Sequence, residues 1–174
     1  WAEKEIGLLA GKGIIKGKAD GMFEPDANIT RAEFIALITR ALGYGEDSQY
    51  TLPFADVSEK DWYYKPIAIA YNNGLVSGKS DKEFEPKGNI TRQEMARIIS
   101  NILENKFRPQ ENLDDLKRFK DFEQIASWAR ESVALCLREK IIKGVTEDKF
   151  APLEKATRAQ AATIIYRIYG LIMD

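Results

Sequence analysis

The chain alternates amphipathic stretches with polar loops that contain glycine and proline. Apolar residues follow the i, i+3, i+4 spacing of one helix face at Ile6, Leu9 and Ala10, and more strongly between Phe34 and Leu42. Both patterns return twice, the first at 67–71 and 133–137 and the second at 95–103 and 161–169. The periodicity therefore predicts an all-α chain built from three copies of helix, loop and helix.

A short motif opens the second helix of each copy. It reads ITRAEF at Ile29–Phe34, ITRQEM at Ile90–Met95 and, in a weakened form, ATRAQA at Ala156–Ala161. Other residues recur at the same two spacings, namely Trp1, Trp62 and Trp128; Gly17, Gly78 and Gly144; Phe23, Phe84 and Phe150; and Pro25, Pro86 and Pro152. Such self-similarity identifies one repeat in three copies. Each copy is too small to bury much core alone, so the three are expected to pack as one unit.

The threonine of the motif is predicted to cap the second helix. Thr followed three residues later by Glu, just before an apolar run, is a capping box, which makes Thr30 and Thr91 the N-caps. In the third copy Gln160 replaces the Glu, but its side-chain oxygen can accept the same hydrogen bond. The acidic residue of the motif is therefore predicted to be structural.

The arginine of the motif falls at the first helical position, where a cation is disfavoured by ~0.3–1 kcal/mol. Arg31, Arg92 and Arg158 all break this rule, and repeated rule-breaking indicates function. Free N–H groups at a helix N-terminus attract anions, and a guanidinium adds a fork that suits a carboxylate. The sequence leaves an equal alternative open, in which each Arg pairs with an Asp or Glu of a neighbouring repeat.

Residue counts exclude several functions. Lys and Arg number 26 against 27 Asp and Glu, with no basic block, so nucleic-acid binding is not expected. Histidine is absent, which removes the commonest general base and metal ligand. The single Cys136 has a helical core spacing and is predicted to be a buried thiol. No apolar run approaches the ~18 residues of a membrane span.

The acidic residues do not indicate catalysis. No pair of carboxylates recurs outside the capping positions, so neither an enzyme nor a bound cofactor is expected. The stretch from Asp26 to Thr30 begins like a calcium-binding loop, but Arg31 stands where that loop needs Gly, so no metal site is expected. A helical-repeat scaffold for protein–protein interaction is the alternative to an anion-binding module, although the apolar stripes fit inward-facing positions.

Together these residues resemble the S-layer homology domain. The resemblance rests on FADV at Phe54–Val57, a Trp that opens the first helix, GIIKG at Gly13–Gly17, DGMFEP at Asp20–Pro25 and the ITRAEF motif. It implies repeats at residues 1–43, 54–104 and 119–172, the first lacking the Phe-x-Asp-Val element at its N-terminal side. It also implies a mostly helical, pseudo-threefold unit around a central helix bundle, with grooves between the repeats.

The resemblance implies non-covalent anchoring of a secreted surface protein, outside the cell, at the cell wall or S-layer. Modules of this family bind secondary cell-wall polysaccharide attached to peptidoglycan, often through a terminal pyruvylated N-acetylmannosamine. The motif Arg is expected to meet the pyruvate carboxylate. The module itself is expected to be monomeric.

The resemblance extends the predicted site beyond Arg31, Arg92 and Arg158. The glycines would let a sugar ring approach the backbone; Asp20 and Asp81 would accept from sugar hydroxyls or cap the loop; Thr30 and Thr91 would be caps first and ligand contacts second; and Trp62 would stack on a sugar or, more often, pack in the core. The third copy departs from the family pattern at Lys140, Glu147, Ala156 and Gln160. Its site therefore stays open, and the incomplete first repeat is expected to weaken the groove that it borders.

Overall fold

The computed structural model describes residues 1–17, 22–44, 50–104, 107 and 112–173. In chain order the α-helices are α1 (Glu3–Gly11), α2 (Arg31–Ala41), α3 (Tyr64–Asn72), α4 (Arg92–Leu103), α5 (Ser127–Arg138) and α6 (Arg158–Met173). Within these ranges, short 3-10 helices lie at Asp114–Leu116 and Phe122–Gln124. Pairing between extended residues is limited, within these ranges, to isolated bridges. The prediction of an all-α chain is confirmed.

The chain forms two compact units, Trp1–Ile90 with Ala156–Asp174, and Thr91–Lys155. In the first unit α2 packs against α3 and α6, and α1 packs against α6. In the second unit α4 packs against α5. The second helix of each repeat therefore packs against the first helix of the next, and the last helix returns to the first. The pseudo-threefold bundle and the repeat boundaries of residues 1–43, 54–104 and 119–172 remain predictions.

The capping boxes form as predicted. Thr30 Oγ1 accepts from the amide of Glu33 at 3.2 Å, and Glu33 Oε2 accepts from the amide of Thr30 at 2.8 Å. The same reciprocal bonds join Thr91 with Glu94 and Thr157 with Gln160. The Gln oxygen of the third copy thus replaces a carboxylate, as the sequence indicated.

The residues just before the three cap threonines are hydrogen-bonded to one another within the first unit. Ile29 N donates to Ala156 O at 3.0 Å, Ala156 N donates to Ile90 O at 3.0 Å, and Ile90 N donates to Ile29 O at 3.1 Å. All three residues are fully buried. This closed cycle of three bonds fixes the chain just ahead of α2 and α6, which begin two residues after Ile29 and Ala156.

Candidate ligand-binding site at the motif arginines

Each motif arginine lies against the loop of the next repeat. Arg31 donates from Nε to Phe84 O at 3.1 Å and from Nη2 to Ser77 O at 3.2 Å. Its guanidinium carbon lies 4.8 Å from the centroid of the Phe84 ring. Although it carries a full charge, Arg31 is only 5% exposed. The side chain joins the first repeat to the second through carbonyl oxygens and an aromatic face.

The same contact recurs for the other two arginines. Arg92 donates to Phe150 O at 3.0 Å and to Lys143 O at 2.6 Å, with its guanidinium over the Phe150 ring. Arg158 donates to Phe23 O at 2.9 Å and to Lys16 O at 3.3 Å, over the Phe23 ring. The second repeat is thereby joined to the third and the third to the first. Charge-assisted bonds and cation–π contacts offset the unfavourable position at the start of each helix.

Ion pairing, the alternative interpretation of these arginines, is observed for Arg158. Its Nη1 lies 3.6 Å from Glu33 Oε1, and the Glu33 side chain is 25% exposed. At Arg92, the acidic residues in the described part of the chain act only at longer range. Burial lowers the pKa of Arg92 below its ordinary value, while the negative charges of Glu154 and Asp121 act in the opposite direction. Arg92 and Arg158 therefore differ in their charged surroundings.

The expectation of free N–H groups at the start of these helices is wrong. Arg31 N donates to Gly88 O at 2.9 Å, and Ala32 N donates to Pro86 O at 3.0 Å. Together with the cap bond to Glu33 N, this engages the first three amides of α2. The equivalent amides of α4 and α6 are bonded in the same way. The loop of a neighbouring repeat takes the place that an anion would otherwise occupy, so any anion site must rest on the guanidinium.

The guanidinium of Arg92 retains donors for such a ligand. A guanidinium carries five N–H groups, of which Arg92 uses one at Nε and one at Nη2. Its Nη1 has no acceptor among the residues that the structure describes. At Arg158, by contrast, the equivalent nitrogen faces the Glu33 carboxylate. Arg92, which is 6% exposed, thus keeps donors at Nη1 that its counterpart in the third repeat directs at a carboxylate.

Packing inside the protein requires glycine at two of the three equivalent loop positions. A Cβ at Gly78 would lie 2.5 Å from Phe54 Cε1 and would collide with Ser80 O. A Cβ at Gly144 would lie 2.8 Å from Phe119 Cε1. Gly17, the equivalent residue of the first repeat, is exposed. The contact of these glycines with a sugar remains a prediction.

The remaining predicted site residues are distributed unevenly. Asp20 lies outside the described residues, and Asp81 is exposed. The hydroxyls of Thr30 and Thr91 are engaged in the capping boxes. Trp62 is 60% exposed, and its ring meets that of Tyr63 edge-on at 5.3 Å. Trp62 therefore does not pack in the core, and its indole face is accessible to a ligand.

Sequence reasoning missed the residues that shape the arginine-binding loops. Asp56 accepts from the amides of Phe84 at 2.9 Å and Glu85 at 2.8 Å. Asp121 accepts in the same way from Phe150 at 2.9 Å and Ala151 at 2.6 Å. These carboxylates hold the loop that presents carbonyls to the motif Arg. Their recurrence as Phe-x-Asp before the second and third Trp was the signal that could have identified them.

Comparison with known proteins identifies the family of these repeats. A family model described as the S-layer homology domain matches residues 1–35, 53–96 and 118–162. The chain belongs to the S-layer homology domain family. Each matched segment contains one motif arginine (Arg31, Arg92 or Arg158) and one loop Phe (Phe23, Phe84 or Phe150). The residues that make the three contacts between repeats therefore all lie within the matched segments.

Relatives of this S-layer homology chain include surface proteins and enzymes. An S-layer protein of Bacillus thuringiensis subsp. finitimus is 33% identical over 95% of the chain and 20% of the relative. A cellulosome-anchoring protein of Acetivibrio thermocellus is 30% identical over 88% of the chain and 35% of the relative. An amylopullulanase of Thermoanaerobacterium thermosulfurigenes is 39% identical over 95% of the chain.

The chain spans only a small part of these relatives, 9% in the case of the amylopullulanase and 17% in that of an endoglucanase. An enzyme name therefore says nothing about catalysis by the S-layer homology repeats themselves. Among the described residues no helix is long and apolar enough to cross a membrane, and no group of His, Cys, Asp and Glu could hold a metal ion.

Proposed function

We propose that the chain anchors the protein of which it forms part to the bacterial cell wall, outside the cell and without a covalent bond. Membership of the S-layer homology family supports this proposal. So do relatives named as S-layer proteins and as a cellulosome-anchoring protein, which match 83–95% of the chain. The proposed ligand is secondary cell-wall polysaccharide attached to peptidoglycan.

The recognised group is a carboxylate, and the pyruvate ketal of a terminal amino sugar supplies one. The observation that carries this step is the Arg92 guanidinium, which is fixed by two carbonyls and the Phe150 ring while Nη1 keeps its donors. A donor held in place loses little entropy on binding. A charge-assisted bond to it is worth roughly 1.5–3 kcal/mol, or about tenfold to a hundredfold in affinity.

The other residues complete the proposed sugar contact. Trp62 offers an exposed aromatic face for stacking on a sugar ring, and Asp81 is exposed and can accept from hydroxyls. Gly78 and Gly144 have no side chain, so Phe54 and Phe119 can pack closely against the loops that accept from Arg31 and Arg92. Thr30 and Thr91 act through their caps, which fix where each motif helix begins.

Calorimetric titration with purified wall polymer, before and after removal of its pyruvate, tests the proposal without altering the protein. Binding that weakens at least tenfold on depyruvylation is the expected result. Equal binding of both forms would retain the wall anchor but assign the arginines to structure alone. If neither form binds while a surface protein does, the repeats are a protein-interaction scaffold and the anchor proposal is wrong.

A further inference from the structure

Gln93 differs from the residues at the same position of the other two repeats. It follows the motif arginine of the second repeat, whereas Ala32 and Ala159 follow the arginines of the first and the third. Both alanines are 2% exposed, and Gln93, although polar, is only 6% exposed. A buried carboxamide costs free energy unless its polar atoms are paired, so each of its hydrogen-bonding atoms has to be accounted for.

The oxygen of this carboxamide is paired within the second unit. Oε1 of Gln93 accepts from the amide of Ala126 at 3.0 Å, one residue before α5 begins. The backbone amide of Gln93 donates to Pro152 O at 3.1 Å, so the backbone and the side chain are both bonded to the third repeat. Because only the oxygen can accept from an amide, the bond to Ala126 determines which way the carboxamide points.

The nitrogen of the carboxamide has no partner. Nε2 carries two N–H donors and has no acceptor among the residues that the structure describes. Within those residues, the polar side-chain atoms that are both unpaired and shut off from solvent belong to Glu5, Ser132 and Thr163. Nε2 of Gln93 is not one of them, so it reaches the surface. Gln93 therefore presents two donors, held in a fixed orientation, from a side chain that is otherwise buried.

The bond to Ala126 does not by itself explain a glutamine at this position. At the equivalent position of the second repeat, Lys60 N donates to Ser58 Oγ, only two residues away, at 3.3 Å. A glutamate in place of Gln93 would also supply the acceptor that Ala126 N requires. The donors at Nε2 are the one property that distinguishes glutamine from these alternatives.

These donors begin on the same helical turn as those of Arg92. Both side chains are held by the third repeat, Arg92 through the carbonyls of Phe150 and Lys143 and Gln93 through the Ala126 amide. Consecutive Cα atoms lie only ~3.8 Å apart. A charged donor group and an uncharged one are thus available side by side to one sugar residue or to two adjoining ones.

We infer that Gln93 is a specificity-determining residue that donates to the carbonyl oxygen of an acetamido group on the wall polysaccharide. This inference rests on the proposed function and adds an uncharged point of recognition beside Arg92. Hydroxyl groups of a polysaccharide donate as well as accept, whereas an acetamido carbonyl only accepts. The carbonyl therefore matches a nitrogen that only donates.

Two substitutions separate the donors of Gln93 from its acceptor. Gln93→Glu keeps an oxygen for Ala126 N but removes the donors, so the Ala126 amide should stay protected from exchange while polymer affinity falls about threefold to tenfold. Gln93→Ala introduces the residue of the other two repeats and should lower affinity to a similar extent, with faster exchange at Ala126. Gln124→Glu makes the same change of charge at an exposed position two residues before Ala126 and should keep the affinity within twofold.

The side-chain NH2 signals of Gln93 in nuclear magnetic resonance give a readout that a structural role alone would not move. In the unmodified chain they should shift on titration with N-acetylmannosamine and not with mannose, which carries a hydroxyl in place of the acetamido group. Unchanged signals with both sugars, or unchanged polymer affinity in both Gln93 variants, would overturn the inference and leave the wall anchor in place. Failure of the unmodified chain to bind the polymer would refute the proposed function, and this inference with it.

Discussion

Arg92 and Arg158 occupy the same position in two repeats, yet their guanidinium groups differ in which N–H donors already face an acceptor. Both donate to two loop carbonyls and lie over a Phe ring. Arg158 also faces the Glu33 carboxylate at 3.6 Å, whereas Nη1 of Arg92 has no acceptor in the described part of the chain. The repeat motif thus secures the structural contact, and a residue of another repeat determines whether donors remain for a ligand.

Because both arginines donate to two loop carbonyls, removal of either should destabilise the fold equally. Arg92→Ala and Arg158→Ala each leave two loop carbonyls without their donor and remove a packed side chain. We expect each variant to lose about 2–4 kcal/mol of unfolding free energy in urea titration. Arg97→Ala, at an exposed position of α4, is the matched control and should stay within about 0.5 kcal/mol. A loss below 1 kcal/mol in both variants would show that these contacts contribute little.

Because the Nη1 groups of the two arginines have different surroundings, substitutions there should reduce affinity for the polymer unequally. Arg92→Lys keeps the charge but not the planar fork, so binding of pyruvylated polymer should fall about tenfold. Arg158→Lys should change it less than twofold, because its carboxylate partner is already inside the protein. Calorimetry measures the affinities of both variants, and circular dichroism verifies that the fraction of folded protein is the same in each. Equal losses would remove the distinction between the two sites.

Removing the Glu33 charge should make the Arg158 contact resemble that of Arg92. Glu33→Gln should retain the cap of α2, because Gln160 makes the same reciprocal bonds in the third repeat. The ion pair is partly exposed, so its loss should cost under about 1 kcal/mol of stability. The affinity for the polymer should rise by a few fold, or the number of polymer sites per protein should increase. Glu131→Gln, an exposed change of equal charge on α5, should alter neither.

The smallest effect is expected at Trp62. Its side chain is 60% exposed, so Trp62→Ala should change the unfolding free energy by less than about 1 kcal/mol. Loss of a stacking face should weaken polymer binding by a few fold. Trp128, 51% exposed in the third repeat, provides the comparison and should be less sensitive to substitution. A larger effect at Trp128 would place the sugar contact in the other repeat.

Local patterns in the sequence predicted the local parts of this structure. The Thr-x-x-Glu spacing identified each N-cap because the two partners lie three residues apart and interact within one turn. Apolar periodicity likewise located α2, α4 and α6. Both the capping spacing and the apolar periodicity are local patterns, and few other structures produce them.

The partners of the arginines could not be predicted from the sequence. Every residue carries a carbonyl oxygen, so nothing distinguishes Ser77 or Lys143 as an acceptor before the chain is folded. The same is true of Gly88 O, which occupies the amide of Arg31 and removes the expected anion site at the helix N-terminus. The difference between Arg92 and Arg158 arose from Glu33, a residue assigned only to capping by its local spacing.

The three-bond cycle of Ile29, Ile90 and Ala156 has a consequence for synthesis and folding. Ile29 lacks its backbone acceptor until Ala156, two repeats later, has emerged and returned. Such a long closure carries an entropic cost before any contact forms, which slows folding. An open solenoid can gain or lose a terminal repeat and remain folded. Here deletion of any one repeat should abolish cooperative unfolding, so we expect the number of repeats to be fixed by the closure itself.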